Sequence, residues 1–91
     1  MAANQVMLLM NKIKVLFFAT LRHRVGTKSI EIEVPTDITV QELKDQLAND
    51  YPNLKESMKN VLVSVNKEYA FDELVIPQNA EIALFPPVSG G

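Results

Sequence analysis

The chain has 91 residues, 47% of them apolar and 22% charged, which predicts one small globular domain with a single core. The net charge is −2 and no two Lys or Arg residues are adjacent, so nucleic acid is not expected as a partner. The absence of cysteine excludes disulfides, thiolate metal sites and a cysteine nucleophile, and one histidine cannot build a metal site alone.

The N-terminal segment, residues 1–11, is predicted to be a disordered extension outside the domain. Continuation of the first strand and a small hydrophobic contact surface are the alternatives. Residues 6–10 are all apolar, but a run of five is far short of the ~20 residues that span a bilayer. No basic residue precedes this run and no small-residue cleavage site follows it, which disfavours a signal peptide. We therefore expect a cytoplasmic protein with no membrane partner.

The domain itself is predicted to span residues 12–85 and to begin with an antiparallel hairpin. In the first strand, residues 12–18, alternation places Ile13, Val15 and Phe17 on one face and Leu16 and Phe18 on the other. Because both faces are largely apolar, this strand is expected to be central in a sheet, with a helix over one face. Residues 19–25 suggest one helical turn, and residues 27–34 alternate as a half-buried second strand.

One long helix is predicted from Thr39 onward. Thr39 and Glu42 have the spacing of a capping box, in which each side chain accepts a hydrogen bond from the other residue's backbone. Pro52 ends the helix near residues 50–51 because it disfavours a helical conformation in the residue before it. The core face is expected to carry Val40, Leu43 and Leu47, and the solvent face Lys44, Asp45, Asn49 and Asp50.

The second half of the chain predicts three more strands. Residues 61–65 form a strand, Asn66 and Lys67 a tight turn, residues 68–70 a short edge strand, and residues 81–85 an apolar last strand. A hairpin, a crossover helix and returning strands indicate an α+β fold with a mixed sheet. If the last strand lies parallel beside the first, the fold is a β-grasp.

The C-terminal tail, residues 86–91, carries the most unusual chemistry of the sequence. Pro86 and Pro87 have a fixed φ and no amide proton, so they favour a stiff, extended exit from the last strand. From Phe85 the tail reaches at most ~20 Å, and Gly90 and Gly91 have no side chains to obstruct a narrow channel. The expected functional group is the free carboxylate of Gly91, which becomes reactive when a partner adenylates it.

Two segments of the sequence resemble the small, sulfur-carrying subunit of molybdopterin synthase, which is a ubiquitin-like β-grasp protein. The first comprises residues 14–19 with Arg22 close behind and residues 25–27 after it. The second comprises residues 81–91, whose ending Phe-Pro-Pro-Val-x-Gly-Gly is the most specific feature. Residues 63–66 also resemble the family, and the similarity extends over about residues 12–91.

This resemblance implies a sulfur carrier that has no bound cofactor or metal. An E1-like enzyme would use ATP to adenylate Gly91, which would then become a thiocarboxylate. The carrier would insert its tail into the large catalytic subunit, with which it would form a heterotetramer, and donate sulfur to a cyclic pyranopterin precursor. The residues implied in partner binding are Phe18, Arg22, Phe85, Pro86, Pro87, Val88 and Ser89, with Gly90 and Gly91 at the reacting end.

Two alternative functions remain open at this point. A ubiquitin-like sulfur carrier or protein modifier, serving thiamine synthesis or tRNA thiolation, would share the diglycine and its activation. A non-catalytic β-grasp interaction module would have an incidental tail. For the cluster Arg22, His23 and Arg24, a solvated turn is the alternative to contact with an acidic partner or an anionic ligand.

Overall fold

The structure, a computed structural model, describes residues 10–87. One five-stranded mixed sheet has the strand order β2-β1-β5-β3-β4. The strands are β1 (Met10–Phe17), β2 (Ser29–Pro35), β3 (Leu62–Val65), β4 (Glu68–Tyr69) and β5 (Glu81–Phe85). The helices are α1 (Thr20–Val25) and α2 (Val40–Asp50), and two short 3-10 turns follow at Pro52–Leu54 and Ser57–Lys59.

The strand pairing confirms the predicted β-grasp. β1 and β2 form an antiparallel hairpin in which Val15 lies opposite Ile30. β5 lies parallel to β1, with Leu84 opposite Phe17, and antiparallel to β3. The first and last strands are therefore neighbours at the centre of the sheet, and α2 is the crossover between β2 and β3.

One face of the sheet is covered and forms the core with α2. The side chains of Val15, Leu47, Ile82 and Leu84 are completely inaccessible to solvent. Phe17 packs edge-on against the ring of Tyr51, with the ring centroids 6.3 Å apart. The alternation predicted for β1 is confirmed, since Ile13, Val15 and Phe17 are all buried.

The N-terminus of α2 has the predicted capping box. The Thr39 hydroxyl accepts from the Glu42 amide at 3.2 Å, and the Glu42 carboxylate accepts from the Thr39 amide at 2.9 Å. The loop before β5 supplies further acceptors, because the Val40 and Gln41 amides donate to the carbonyls of Leu74 and Asp72. These contacts satisfy backbone donors that a helix start leaves without intrahelical partners.

The prediction that Lys44 faces solvent is wrong. Its side chain is 9% exposed, and its Nζ lies 2.7 Å from Oδ1 of Asp72. Helical spacing placed Lys44 near the boundary of the apolar face, but it could not show that the loop before β5 covers this position with a counter-charge. The long aliphatic stem of lysine packs against apolar surface while the ammonium remains paired.

The start of the first strand also differs from the prediction. β1 begins at Met10, two residues earlier than predicted, so Met10 and Asn11 belong to the sheet. Asn11 is fully buried: its Nδ2 donates to the Pro77 carbonyl at 2.9 Å and its Oδ1 accepts from the Asn79 amide at 2.7 Å. In a sequence, a polar residue beside an apolar run suggests that the strand ends there. Here the strand continues through Asn11, because distant backbone groups form hydrogen bonds with its side chain. Residues 1–9 lie outside the described residues.

The remaining differences are small. The predicted strand at 27–34 forms at Ser29–Pro35, and the predicted strand at 61–65 begins at Leu62. Asn66 and Lys67 have φ values of 51° and 73°, which confirms the tight turn between β3 and β4. In the described part of the chain, no helix is long and apolar enough to cross a membrane.

Candidate functional site: the tail exit and the open face of the sheet

The tail leaves the domain from the centre of the sheet. β5 is hydrogen-bonded on one side to β1 and on the other to β3, and it ends at Phe85. Pro86, which follows, is half-buried, and Pro87 is exposed. Because proline cannot donate to a sheet ladder, strand pairing stops here. Val88, Ser89, Gly90 and Gly91, on which the predicted chemistry rests, lie outside the described residues.

Phe18 and Phe85 meet beside this exit. Their rings are stacked, with centroids 4.7 Å apart and an angle of 13° between the planes. The amide of Phe18 donates to the Leu84 carbonyl at 3.1 Å, which holds the end of β1 against the end of β5. Phe18 is 41% exposed, so this pair lies at the surface rather than being buried at the end of the sheet.

The two rings belong to a larger apolar area on the sheet face opposite α2, here called the open apolar surface: Leu16, Phe18, Leu62, Tyr69 and Phe85. Strand register places these residues together, because Leu62 is opposite Phe85 and side chains of paired residues lie on the same face. Ala83 and Ser64, also paired, form the floor of a groove of about 370 Å³ between Phe18, Phe85 and Tyr69. Leu16, Lys67 and Glu81 also line the groove, so aromatic rings lie beside charged side chains, a combination that suits a partner protein.

Leu62 and Tyr69 were not predicted as site residues. The only sequence signal for Leu62 is its alternation with the buried Val63, which places it on the open face without showing that it is next to Phe85. Tyr69, 78% exposed, reaches this surface only because β4 pairs with β3, where Tyr69 is opposite Ser64. Both assignments depend on long-range strand register.

A tight turn links Phe18 to α1 and positions Arg22. Ala19 has a φ of 54°, which is uncommon for a residue with a side chain, and the Leu21 amide donates to the Phe18 carbonyl at 3.1 Å. Arg22 is exposed on α1, and no carboxylate among residues 10–87 forms an ion pair with it. It shares a groove of about 420 Å³ with Phe18, Lys14 and Lys28. The predicted residues Phe18, Phe85 and Pro86 therefore lie at the exit of the tail, and Arg22 lies beside Phe18 in a neighbouring groove.

The described part of the site is suited to binding. Within residues 10–87 there is no group of three or more His, Asp or Glu side chains that could hold a metal ion. An exposed ion pair lies at the other end of the open face, where the Nζ of Lys12 is 3.8 Å from Oε1 of Glu31. Toward the tail exit the face carries the aromatic rings, with Lys67 and Glu81 among the residues that line the groove between them.

Comparison with known proteins identifies the family. The model of the ThiS family matches residues 15–91, which include β5 and the whole tail. The chain belongs to the ThiS family. The molybdopterin synthase sulfur carrier subunit of Arabidopsis thaliana is 35% identical over 80 residues, which cover 88% of this chain and 83% of the relative.

Two solved structures share the fold of this ThiS-family chain. Small archaeal modifier protein 1 of H. volcanii has a TM-score of 0.77 at 27% identity, covering 86% of this chain and 99% of that one. A chain in the complex of subunits 1 and 2 of the molybdopterin-converting factor from Helicobacter pylori has a TM-score of 0.62 at 23% identity. That match covers 88% of this chain and 99% of that one, and it shows the fold alone.

Proposed function

We propose that this protein is the sulfur carrier subunit of a molybdopterin synthase and that its Gly91 carries the sulfur as a thiocarboxylate. The observation that carries the proposal is the position of Phe85. It ends a central strand, stacks on Phe18 at the edge of the open apolar surface, and directly precedes Pro86 and the tail. Relatives that match most of the chain are named molybdopterin synthase sulfur carrier subunits.

In the first step, the Gly91 carboxylate attacks the α-phosphate of ATP on an E1-like activating enzyme. Pyrophosphate leaves and an acyl adenylate forms. A sulfur nucleophile then attacks the acyl carbon and AMP leaves, so that one carboxylate oxygen is replaced by sulfur. ATP binds to the enzyme and not to the carrier, and this step takes place in the cytoplasm.

In the second step, the carrier binds the large catalytic subunit, and two carriers with a dimer of that subunit form a heterotetramer. The sulfur of Gly91 forms a carbon–sulfur bond with the cyclic pyranopterin precursor while a carbon–oxygen bond of the precursor breaks, and water then cleaves the acyl–sulfur bond to restore the carboxylate. A dithiolene contains two sulfur atoms, so two thiocarboxylates are used for each product. Residues that bind and orient the precursor belong to the large subunit.

The open apolar surface and the tail have separate roles in this scheme. Phe18, Leu62 and Phe85 bind the partner, while Pro86 and Pro87 extend the chain away from the domain and Val88 and Ser89 contact the channel walls. Arg22, exposed and without an ion pair among the described residues, meets an acidic group of the partner. The tail thereby delivers Gly91 at a fixed distance from the bound face.

The test is reconstitution of the thiocarboxylate form with a large subunit and the pyranopterin precursor. We expect dithiolene product in proportion to the thiocarboxylate supplied. A chain that lacks Gly91 should keep its fold and its affinity for the large subunit but yield no product. Failure of the thiocarboxylate form to give product with a competent large subunit would contradict the proposal.

A protein modifier is the second candidate, because small archaeal modifier protein 1 shares this fold at 27% identity. A modifier would be joined through Gly91 to lysine side chains of other proteins. Incubation with the activating enzyme and a lysate of the source cells, followed by tryptic digestion and mass spectrometry, separates the two. Because no Lys or Arg follows Lys67, a conjugated lysine would carry residues 68–91 of this chain as its remnant. Conjugates without dithiolene product would favour the modifier. If the full chain, with Gly90 and Gly91 present, shows neither activity, and if removing both glycines leaves its binding to partners unchanged, the protein is a simple interaction module.

A further inference from the structure

The open apolar surface continues beyond the edge of the sheet. Tyr69, on the edge strand β4, lines the groove beside Phe85 and also lines a second groove of about 460 Å³, whose walls include Phe71 and Leu74. Phe71 is 84% exposed and Tyr69 is 78% exposed, the two highest values among the large apolar side chains of residues 10–87. The exposed apolar area is therefore continuous from Phe18 through Tyr69 to Phe71.

The loop that carries Phe71 and Leu74 is held in a defined position. The Leu74 amide donates to the Phe71 carbonyl at 3.1 Å, and the Leu74 carbonyl accepts from the Val40 amide of α2 at 2.9 Å. Between them in the sequence, Asp72 forms an ion pair with Lys44 of the same helix. Because the loop is already anchored, a partner that binds it pays little for ordering it.

The second groove is acidic as well as apolar. Glu68 and Glu73 line it together with Tyr69, Phe71 and Leu74, and no Lys or Arg does. Both carboxylates are exposed, and neither forms an ion pair within the described part of the chain. We call these five residues the acidic extension. Apolar walls with two unpaired carboxylates fit a partner segment that carries Lys or Arg beside apolar side chains.

The other end of the open apolar surface has the opposite charge. Lys14, Arg22 and Lys28 share a groove with Phe18, here called the cationic groove, and no Asp or Glu lines it. Three inter-strand spacings separate β1 from β4, a distance of ~14 Å. This exceeds the Debye length of ~8 Å at physiological ionic strength. The two ends therefore present separate potentials, one positive and one negative, with the aromatic rings between them.

We propose that the large subunit docks across the cationic groove, the open apolar surface and the acidic extension, and that a basic, apolar segment of it occupies the acidic extension. This inference rests on the proposed function, which supplies the occupant. Opposite charges at the two ends select one orientation of the partner, because the reversed orientation brings like charges together. The selected orientation places the tail exit, beside Phe18 and Phe85, over the same part of the partner in every encounter.

The charge of the acidic extension is tested with the double variant Glu68→Gln, Glu73→Gln. Surface plasmon resonance measures its association with the large subunit. We expect the association rate constant to fall about fivefold at low ionic strength and the difference to vanish at high salt, because exposed charges mainly steer association. The control Glu33→Gln, Glu56→Gln removes the same charge from exposed positions elsewhere and should associate nearly as fast as the parent chain.

The apolar part of the acidic extension is tested with Phe71→Ser. Phe71 is so exposed that its loss should leave the fold intact, which thermal unfolding checks. We expect the dissociation rate constant to rise about tenfold at every salt concentration, because a large side chain is lost from the interface. Val75→Ser is the matched control, since Val75 is 51% exposed in the same loop but does not line the groove. Its dissociation should be unchanged.

The outcomes separate this inference from the proposed function. If the parent chain binds the large subunit and gives dithiolene product, but the double variant and Phe71→Ser bind like the parent, the inference is overturned and the proposed function stands. If the parent chain does not bind a competent large subunit, both are overturned. The inference also fails if Phe71→Ser leaves that binding unchanged and instead abolishes self-association of the chain or binding to the activating enzyme.

Discussion

Leu84 and Phe85 are adjacent in β5, yet their side chains lie on opposite faces of the sheet and differ in their exposure to solvent. Leu84 is fully buried against the core, whereas Phe85 is half-buried and stacks on Phe18. The same contrast holds in β1 between Phe17, which is 2% exposed, and Phe18, which is 41% exposed. Strand alternation thus buries one face in the core and exposes the other, the face on which we propose that the partner binds.

The first way to break this comparison is Leu84→Ala. Removing a fully buried leucine should lower the free energy of unfolding by about 2–5 kcal/mol, because transfer energy is lost and a cavity remains. Urea denaturation measures the effect. A loss below about 1 kcal/mol would contradict the assignment of this face to the core.

Phe85→Ala tests the other face. We expect a modest loss of stability but a drop in affinity for the large subunit of about 2 kcal/mol, close to thirtyfold in Kd, since a few large side chains dominate the binding energy of most interfaces. Isothermal titration calorimetry measures the affinity. Lys12→Ala, at the charged end of the same face, is the matched control and should bind nearly as well as the parent chain. Equal effects of the two substitutions would contradict a localised binding surface.

The ion pair of the buried Lys44 with Asp72 provides a further test of the covered face. In Asp72→Asn, Lys44 keeps a hydrogen-bond acceptor but loses its counter-charge, so we expect a loss of about 1–2 kcal/mol in unfolding free energy. Because Asp72 is half-exposed, the loss is smaller than for a fully buried pair. Glu56→Gln removes the partner of Lys59 in an exposed pair and serves as the control, with a change within about 0.5 kcal/mol.

The smallest expected effect concerns α2, the helix that covers one face of the sheet and leaves the other open. Thr39→Ala removes one half of the capping box and should cost about 1 kcal/mol in unfolding free energy. Affinity for the large subunit should stay the same, because Thr39 lies at the start of α2 and away from the tail exit. Thermal unfolding together with the binding assay checks both parts, and a substantial loss of affinity would show that the two faces are coupled.

Much of this fold is readable from local sequence signals. The alternation in β1 and the capping box at Thr39 each depend on neighbouring residues only, and both are confirmed. The last strand, residues 81–85, is confirmed with its bounds unchanged. The parallel pairing of β1 and β5 was expected as the completion of a β-grasp, and it too is present.

Features that depend on distant partners were not predictable. Lys44 is buried because the loop carrying Asp72 covers it, and Asn11 is buried because the backbone of residues 76–79 satisfies its amide. For the same reason, Leu62 and Tyr69 became site residues only once the register of β3 was known. The roles of Phe18, Arg22, Phe85 and the tail remain predictions.

The most direct test of the central claim is the intact mass of the protein after incubation with an activating enzyme, ATP and a sulfur donor. The account predicts a mass change that corresponds to replacement of one oxygen by one sulfur, localised to Gly91 by fragmentation and absent from a chain that lacks Gly91. An unchanged mass with an active enzyme, or the same sulfur gain in the shortened chain, would contradict it.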